Sequence, residues 1–188
     1  AIPLMEPFSS GFKIKKTLTP VSQAEKSKWG KGDIVRVKLE LEAQSDVTWV
    51  VVNDPIPAGA AILGTNLGRD SILATKREKN EGWVWPPFEE RSFEAFRAYY
   101  EYVPKGTWTI EYTVRLNSEG VFNLPPTRVE AMYAPEMLGE LPNQQIQVKS
   151  NKEYQAINHQ VQNIQEEISD KETEVLEALE NEEGLEAQ

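Results

Sequence analysis

The chain has no cysteine and one histidine, His159. Without cysteine there is no disulfide framework, no thiol nucleophile and no thiolate metal ligand. One imidazole is too few for a histidine-rich metal site, and His159 sits between Asn158 and Gln160, outside any enclosed pattern that a general base would need. No apolar run approaches the ~18 residues of a membrane-spanning helix. Glycine-rich phosphate loops are missing too: Gly30-Lys31-Gly32 is too short, and Gly64 to Gly68 has no Lys-Ser/Thr after it. Asp and Asn are too scattered for a calcium loop, and no serine occupies a nucleophile elbow. Ala1 to Pro7 has neither the charged nor the apolar region of a signal peptide, and the first residue is not Met, so a processed product or a piece of a longer chain is expected.

What is present falls into two parts. The 188 residues carry a net charge of −10, but residues 1–150 hold 18 basic and 19 acidic side chains, whereas residues 151–188 hold 2 and 11. The first part also holds all 12 prolines, all five tryptophans and 16 of the 17 aromatics. Its near-neutrality offers no basic face for nucleic acid. It is long enough to bury a core and fold as one domain.

Period-2 hydrophobic alternation dominates residues 1–150. Strands are predicted from Phe12 to Leu18, from Val35 to Leu41, across Val47 to Val52, within Ser92 to Val103, from Trp108 to Leu116, at Val121 to Leu124, from Arg128 to Tyr133, and across Gln144 to Lys149. A loop is expected at Pro20 to Gly32, another at 64–82, and a third beyond Tyr133, bounded by Pro135 and Gly139. Short strands at this spacing, without βαβ alternation, predict an all-β fold, an antiparallel β-sandwich of seven to nine strands.

Residues 151–188 form the acidic second part. Tyr154, Ile157, Val161, Ile164 and Ile168 recur at spacings of 3 and 4, the seam of a heptad helix, with Lys171 interrupting it. Two readings stand: a solvated or disordered tail, and a short coiled coil in which a basic partner helix suits the acidic faces better than a second copy.

Few residues suggest chemistry. Glu89 and Glu90 are adjacent, point to opposite faces of any strand, and read as solvated loop carboxylates, not as a glycosidase pair. Trp83 and Trp85 share a face at period 2, either as packing residues or as an aromatic platform for sugar, the second of which makes the chain a carbohydrate-binding or adhesion module. Nothing predicts an enzyme, and no cofactor or metal is expected.

The stretch Tyr99-Tyr100-Glu101-Tyr102-Val103-Pro104-Lys105-Gly106-Thr107-Trp108, the run Gly120-Val121-Phe122-Asn123-Leu124-Pro125-Pro126, and Val129-Glu130-Ala131-Met132-Tyr133-Ala134-Pro135-Glu136 together resemble the C-terminal domain of bacterial alpha-2-macroglobulins. Val52-Asn53-Asp54-Pro55-Ile56-Pro57-Ala58-Gly59 adds to the likeness, which covers Gly11 to Val148. The resemblance implies a macroglobulin- or fibronectin-like sandwich within a large, envelope-anchored periplasmic inhibitor that traps proteases. Its partners would be the thioester-type and other macroglobulin domains of the parent chain, together with the trapped proteases. Met132, Tyr133, Pro135 and Glu136 would then form the interdomain contact, with Tyr133 covering a thioester where the parent has one. The acidic tail has no counterpart in this pattern.

Overall fold

The computed structural model describes residues 6–26, 28–64, 86, 88–150, 160–165, 167–169 and 171–173. By contacts, the chain divides into two units, Ala1–Lys149 and Ser150–Gln188. The first unit is built from β1 (Phe8–Ser10), β2 (Phe12–Ser22), β3 (Trp29–Gly30), β4 (Ile34–Ala43), β5 (Val47–Pro55), β6 (Ala61–Ile62), β7 (Phe88–Arg91), β8 (Ala95–Val103), β9 (Gly106–Arg115), β10 (Gly120–Phe122), β11 (Thr127–Ala131), β12 (Ala134–Leu141) and β13 (Ile146–Lys149).

These strands form a six-stranded sheet in the order β1-β12-β11-β5-β8-β7, a four-stranded sheet in the order β2-β4-β9-β6, and a three-stranded sheet in the order β10-β13-β3. All pairings between strands are antiparallel except β13 with β3. The predicted all-β sandwich is what forms. Of the 13 strands among the described residues, nine have four or more residues and the other four have two or three.

Alternation in sequence becomes a core because both large sheets turn one face inward. Val35, Val37, Leu39 and Leu41 on β4 register against Val114, Tyr112, Ile110 and Trp108 on β9, and all eight are buried. The six-stranded sheet answers with Val50 and Val52, Phe96, Ala98 and Tyr100, and Val129 and Ala131. Burying a side chain of this size contributes about 1.5–3 kcal/mol. The Phe96 and Tyr112 rings stack across the core with centroids 4.4 Å apart. Gly139 on β12 is needed where the strand passes β2: a Cβ there would lie 2.9 Å from the Phe12 carbonyl oxygen.

A buried polar cluster ties the sheets at the C-terminal end of β5. Asp54 is fully buried. Its carboxylate accepts hydrogen bonds from the Tyr112 hydroxyl at 2.5 Å and the Thr127 hydroxyl at 2.5 Å, and pairs with Lys16 Nζ at 2.6 Å. Lys16 also donates to Asn143 Oδ1 at 2.9 Å, and Asn143 donates to the Pro125 carbonyl at 2.6 Å. Four strands and the connection between β12 and β13 therefore converge on one carboxylate. Burial, reinforced by the Asp54 charge, pushes the Tyr112 phenol well above its ordinary value.

Several local expectations are corrected. Pro20 lies inside β2, not in a loop; β2 is an edge strand, where a missing N–H costs no ladder bond, and the register shifts between Pro20 and Ser22. The expected loop at Gly30 holds β3. Asp33 organises that region, accepting from the Ala24 and Gly30 amides at 3.1 and 2.8 Å. Glu89 and Glu90 stand on β7, not in a solvated loop. Glu89 pairs with Arg91 at 3.3 Å, and Glu90 pairs with Arg97 at 2.8 Å and accepts from the Tyr99 hydroxyl. The expected loop between Pro135 and Gly139 is instead part of β12.

In the second unit, residues 160–165, 167–169 and 171–173 are helical. Val161, Ile164 and Ile168 are exposed on this helix, as a seam without a partner would be. Tyr154, Ile157 and His159 lie outside the described residues.

Candidate functional site

The hairpin of β11 and β12 carries the candidate site. Ala131 registers with Ala134, so Met132 and Tyr133 are its entire two-residue connection. Tight hairpins prefer turns with positive φ, supplied by Gly or Asn. Neither Met132 nor Tyr133 has a positive φ. A turn of the unprimed kind splays its strands, and the register absorbs the mismatch directly below. Glu130 pairs with Leu138 while Ala131 pairs with Ala134, leaving Pro135, Glu136 and Met137 as an excursion on β12. Pro135 tolerates that position because it has no ladder N–H to lose. Pro135 and Glu136 are exposed.

The tip projects apolar surface. Met132 is 55% exposed and Tyr133 78%. Among the described residues, the Tyr133 hydroxyl has no hydrogen-bond partner. Its ring meets Trp49 edge-on, with centroids 6.2 Å apart and planes at 88°. The Met132 amide donates to the Trp49 carbonyl at 2.8 Å. Trp49 is itself 48% exposed and has φ 56, the one positive φ at a non-glycine among the described residues.

Trp49 was missed in the sequence, where Val47 to Val52 reads as a plain β-branched strand. The signal is a break in parity. Val47 and Val50 are both buried three residues apart, with Thr48 and Trp49 both exposed between them. On β8 the same step occurs, with Tyr100 and Val103 buried and Glu101 and Tyr102 exposed. Thr48 registers with Tyr102 and Val50 with Tyr100, so both strands kink at the same place.

Asp46 pins the neighbouring turns. It accepts from the Lys105 amide at 2.8 Å and from the Tyr102 hydroxyl at 3.0 Å. These bonds, the backbone one foremost, hold its carboxyl below the usual range and raise the Tyr102 phenol. The patch of Trp49, Met132 and Tyr133 is uncharged and is flanked by a carboxylate that is already satisfied.

Trp83 and Trp85 lie outside the described residues. Val161, Ile164 and Ile168 belong to the second unit. No group of three or more His, Asp or Glu among the described residues is arranged to hold a metal. The patch offers apolar contact.

Residues 11–136 match the family described as the bacterial alpha-2-macroglobulin MG10 domain. An alpha-2-macroglobulin homolog of Nostoc sp. is 27% identical over 108 residues, 57% of this chain and 6% of that protein. Circularly permutated Ras protein 2 of Dictyostelium discoideum is 24% identical over 130 residues, 69% of this chain and 3% of that protein. The native conformation of Escherichia coli alpha-2-macroglobulin superposes with a TM-score of 0.61 at 22% identity, covering 79% of this chain and 10% of that one. Salmonella alpha-2-macroglobulin reacted with methylamine gives 0.59 at 24%, covering 77% and 10%. The likeness to these two solved structures speaks for the fold. The chain spans no more than a tenth of the length of any of these four. With two thirds of its residues inside one family match, this chain belongs to the bacterial alpha-2-macroglobulin MG10 domain family.

Proposed function

We propose that this chain is a non-catalytic module of a large protease-trapping alpha-2-macroglobulin, and that the Met132–Tyr133 tip docks on a neighbouring domain of the same parent. The parent is periplasmic and held to the envelope through a part outside this chain. The observation that carries the docking role is a phenol ring that is 78% exposed on a two-residue hairpin tip, beside an exposed Met and Trp. A lone exposed aromatic needs no explanation, but three large apolar side chains held together by a backbone hydrogen bond and a ring contact form a contact surface.

Where the parent carries an internal thioester, the neighbour is the thioester-type domain, and the tip covers the reactive acyl group. A thioester survives only while water and amines are kept away, and an apolar lid does that without chemistry of its own. The solved Salmonella relative reacts with methylamine, the small amine that such a lid would exclude.

The test uses the thioester-containing parent. Tyr133→Gly and Met132→Gly are each expected to speed loss of trapping activity in methylamine. Rates equal to the parent's in both variants overturn the shielding role. The carbohydrate reading has no support of this kind, since Trp83 and Trp85 lie outside the described residues.

A further inference from the structure

Trp49 presents a conflict that the fold does not require. At φ 56 a bulky side chain crowds its own backbone, and glycine would sit there without strain. Such outliers persist only where the surroundings over-determine them, and they gather at functional sites. The core does not explain the retention of tryptophan, because the residue is 48% exposed and lies outside the buried cluster. The contacts that do involve it point in one direction. Its carbonyl accepts the Met132 amide at 2.8 Å, and its ring braces Tyr133 edge-on at 6.2 Å. Among the described residues Tyr133 has no other ring contact and no side-chain hydrogen bond.

We infer that Trp49 is the positioning residue of the hairpin tip, its carbonyl holding the Met132 amide as the last rung of the β5–β11 ladder while its ring fixes the direction in which Tyr133 leaves the surface. The kink shared by β5 and β8 makes this arrangement. With Thr48 and Trp49 exposed in succession, the Trp49 carbonyl carries the β5–β11 ladder one rung past Val50–Ala131, to the Met132 amide at the tip. The Asp46 bonds to Lys105 and Tyr102 hold the strand ends beside the kink. Trp49 acts through Tyr133, and its link to trapping rests on the docking role proposed above.

The two halves of the device separate by substitution. In the 188-residue chain, Trp49→Val disfavours the positive φ, so hydrogen exchange at the Met132 amide should accelerate about tenfold or more. Trp49→Gly keeps the backbone conformation, so that amide should stay protected, while the Tyr133 ring resonances shift as the neighbouring indole is lost. Trp49→Phe should restore most of the Tyr133 environment. In the thioester-containing parent, methylamine sensitivity should follow the order wild type, Trp49→Phe, Trp49→Gly, Tyr133→Gly. Unchanged Met132 exchange in Trp49→Val, together with unchanged Tyr133 resonances in Trp49→Gly, overturns the inference. If those signals move while Tyr133→Gly leaves methylamine sensitivity unaltered, Trp49 still positions the tip and the shielding role alone fails.

Discussion

The two ends of β5 solve opposite problems. Asp54 at one end and Trp49 at the other are five residues apart, about 17 Å along the strand. Asp54 is fully buried, and its carboxylate is met by Lys16, Tyr112 and Thr127. Trp49 is half exposed and strained, and it touches a tyrosine that is almost wholly in solvent. Polar groups fill the interior end, and apolar groups occupy the surface end. Each inversion of the usual pattern has its own cause. The polar cluster locks sheets together, whereas the apolar tip is left for something outside the domain. Stability should therefore concentrate at Asp54 and be nearly absent at Tyr133.

The largest effect should come from Asp54→Ala. It strands the Lys16 ammonium in a site where its side chain is 11% exposed, and it leaves the Tyr112 and Thr127 hydroxyls without their acceptor. Breaking a buried pair by removing one partner costs about 3–5 kcal/mol. Urea unfolding of the 188-residue chain measures it, and a loss below about 1 kcal/mol would remove Asp54 as the organiser of that end. Replacing both members, Lys16→Met with Asp54→Leu, should recover only the part of the loss due to the stranded charge, since the Tyr112 and Thr127 hydroxyls still lack their acceptor.

Gly139→Ala comes next. The added Cβ meets a backbone oxygen at 2.9 Å and a Val129 methyl at 3.0 Å, neither of which is a free chain end. Overpacking of this kind costs about 1–3 kcal/mol. A thermal midpoint equal to wild type would mean that β12 has slack against β2, and that the Met132–Tyr133 tip above it is less firmly based than the register implies.

The comparison can also be sharpened by pH. Tyr112 has its folded value raised above the unfolded value of about 10, so its contribution to stability is fully present below pH 10. It is lost as pH rises from there toward the folded value, because the unfolded chain releases the proton first. Denaturation midpoints should fall steeply above pH 10. Tyr112→Phe should remove Tyr112's share of that slope, at a cost of about 1–2 kcal/mol for the bond lost to Asp54. A slope identical in Tyr112→Phe would assign the alkaline loss to other groups.

How much of this was legible in sequence differs between the two ends. The alternation on β4 and β9 announced strands and their inward faces, because a half-buried strand must alternate. Asp54 stood inside the segment that resembles the family, yet nothing local announced its burial. Its partners Lys16, Tyr112, Thr127 and Asn143 come from distant positions, and only the fold assembles them. Met132 and Tyr133 were found through the resemblance, but the residues that follow them, Pro135 to Gly139, were read as a loop and belong to β12. Pro135 and Gly139 look like breakers until β12 is seen to need a bulge at one and a close approach at the other. Pro20 misled for a related reason, since an edge strand forgives what a central one would not. Trp49 was hidden because a kink shared by two strands appears in sequence as only one slipped position in each.

The smallest expected effect is the most informative about the tip. Tyr133→Ala should leave the unfolding free energy of the 188-residue chain within about 0.5 kcal/mol of wild type, as a surface change away from the core does. Tyr133 buries little, its hydroxyl serves no bond among the described residues, and its one ring contact is itself exposed. A domain that needed Tyr133 for its own packing would lose about 3 kcal/mol or more on the same change, as truncated core aromatics do. A small loss in the isolated chain, set beside a clear change in methylamine sensitivity of the parent, would separate a residue kept for an external contact from one kept for the fold. A large loss in the isolated chain would make the tip another part of the core, and the contrast between the two ends of β5 would collapse.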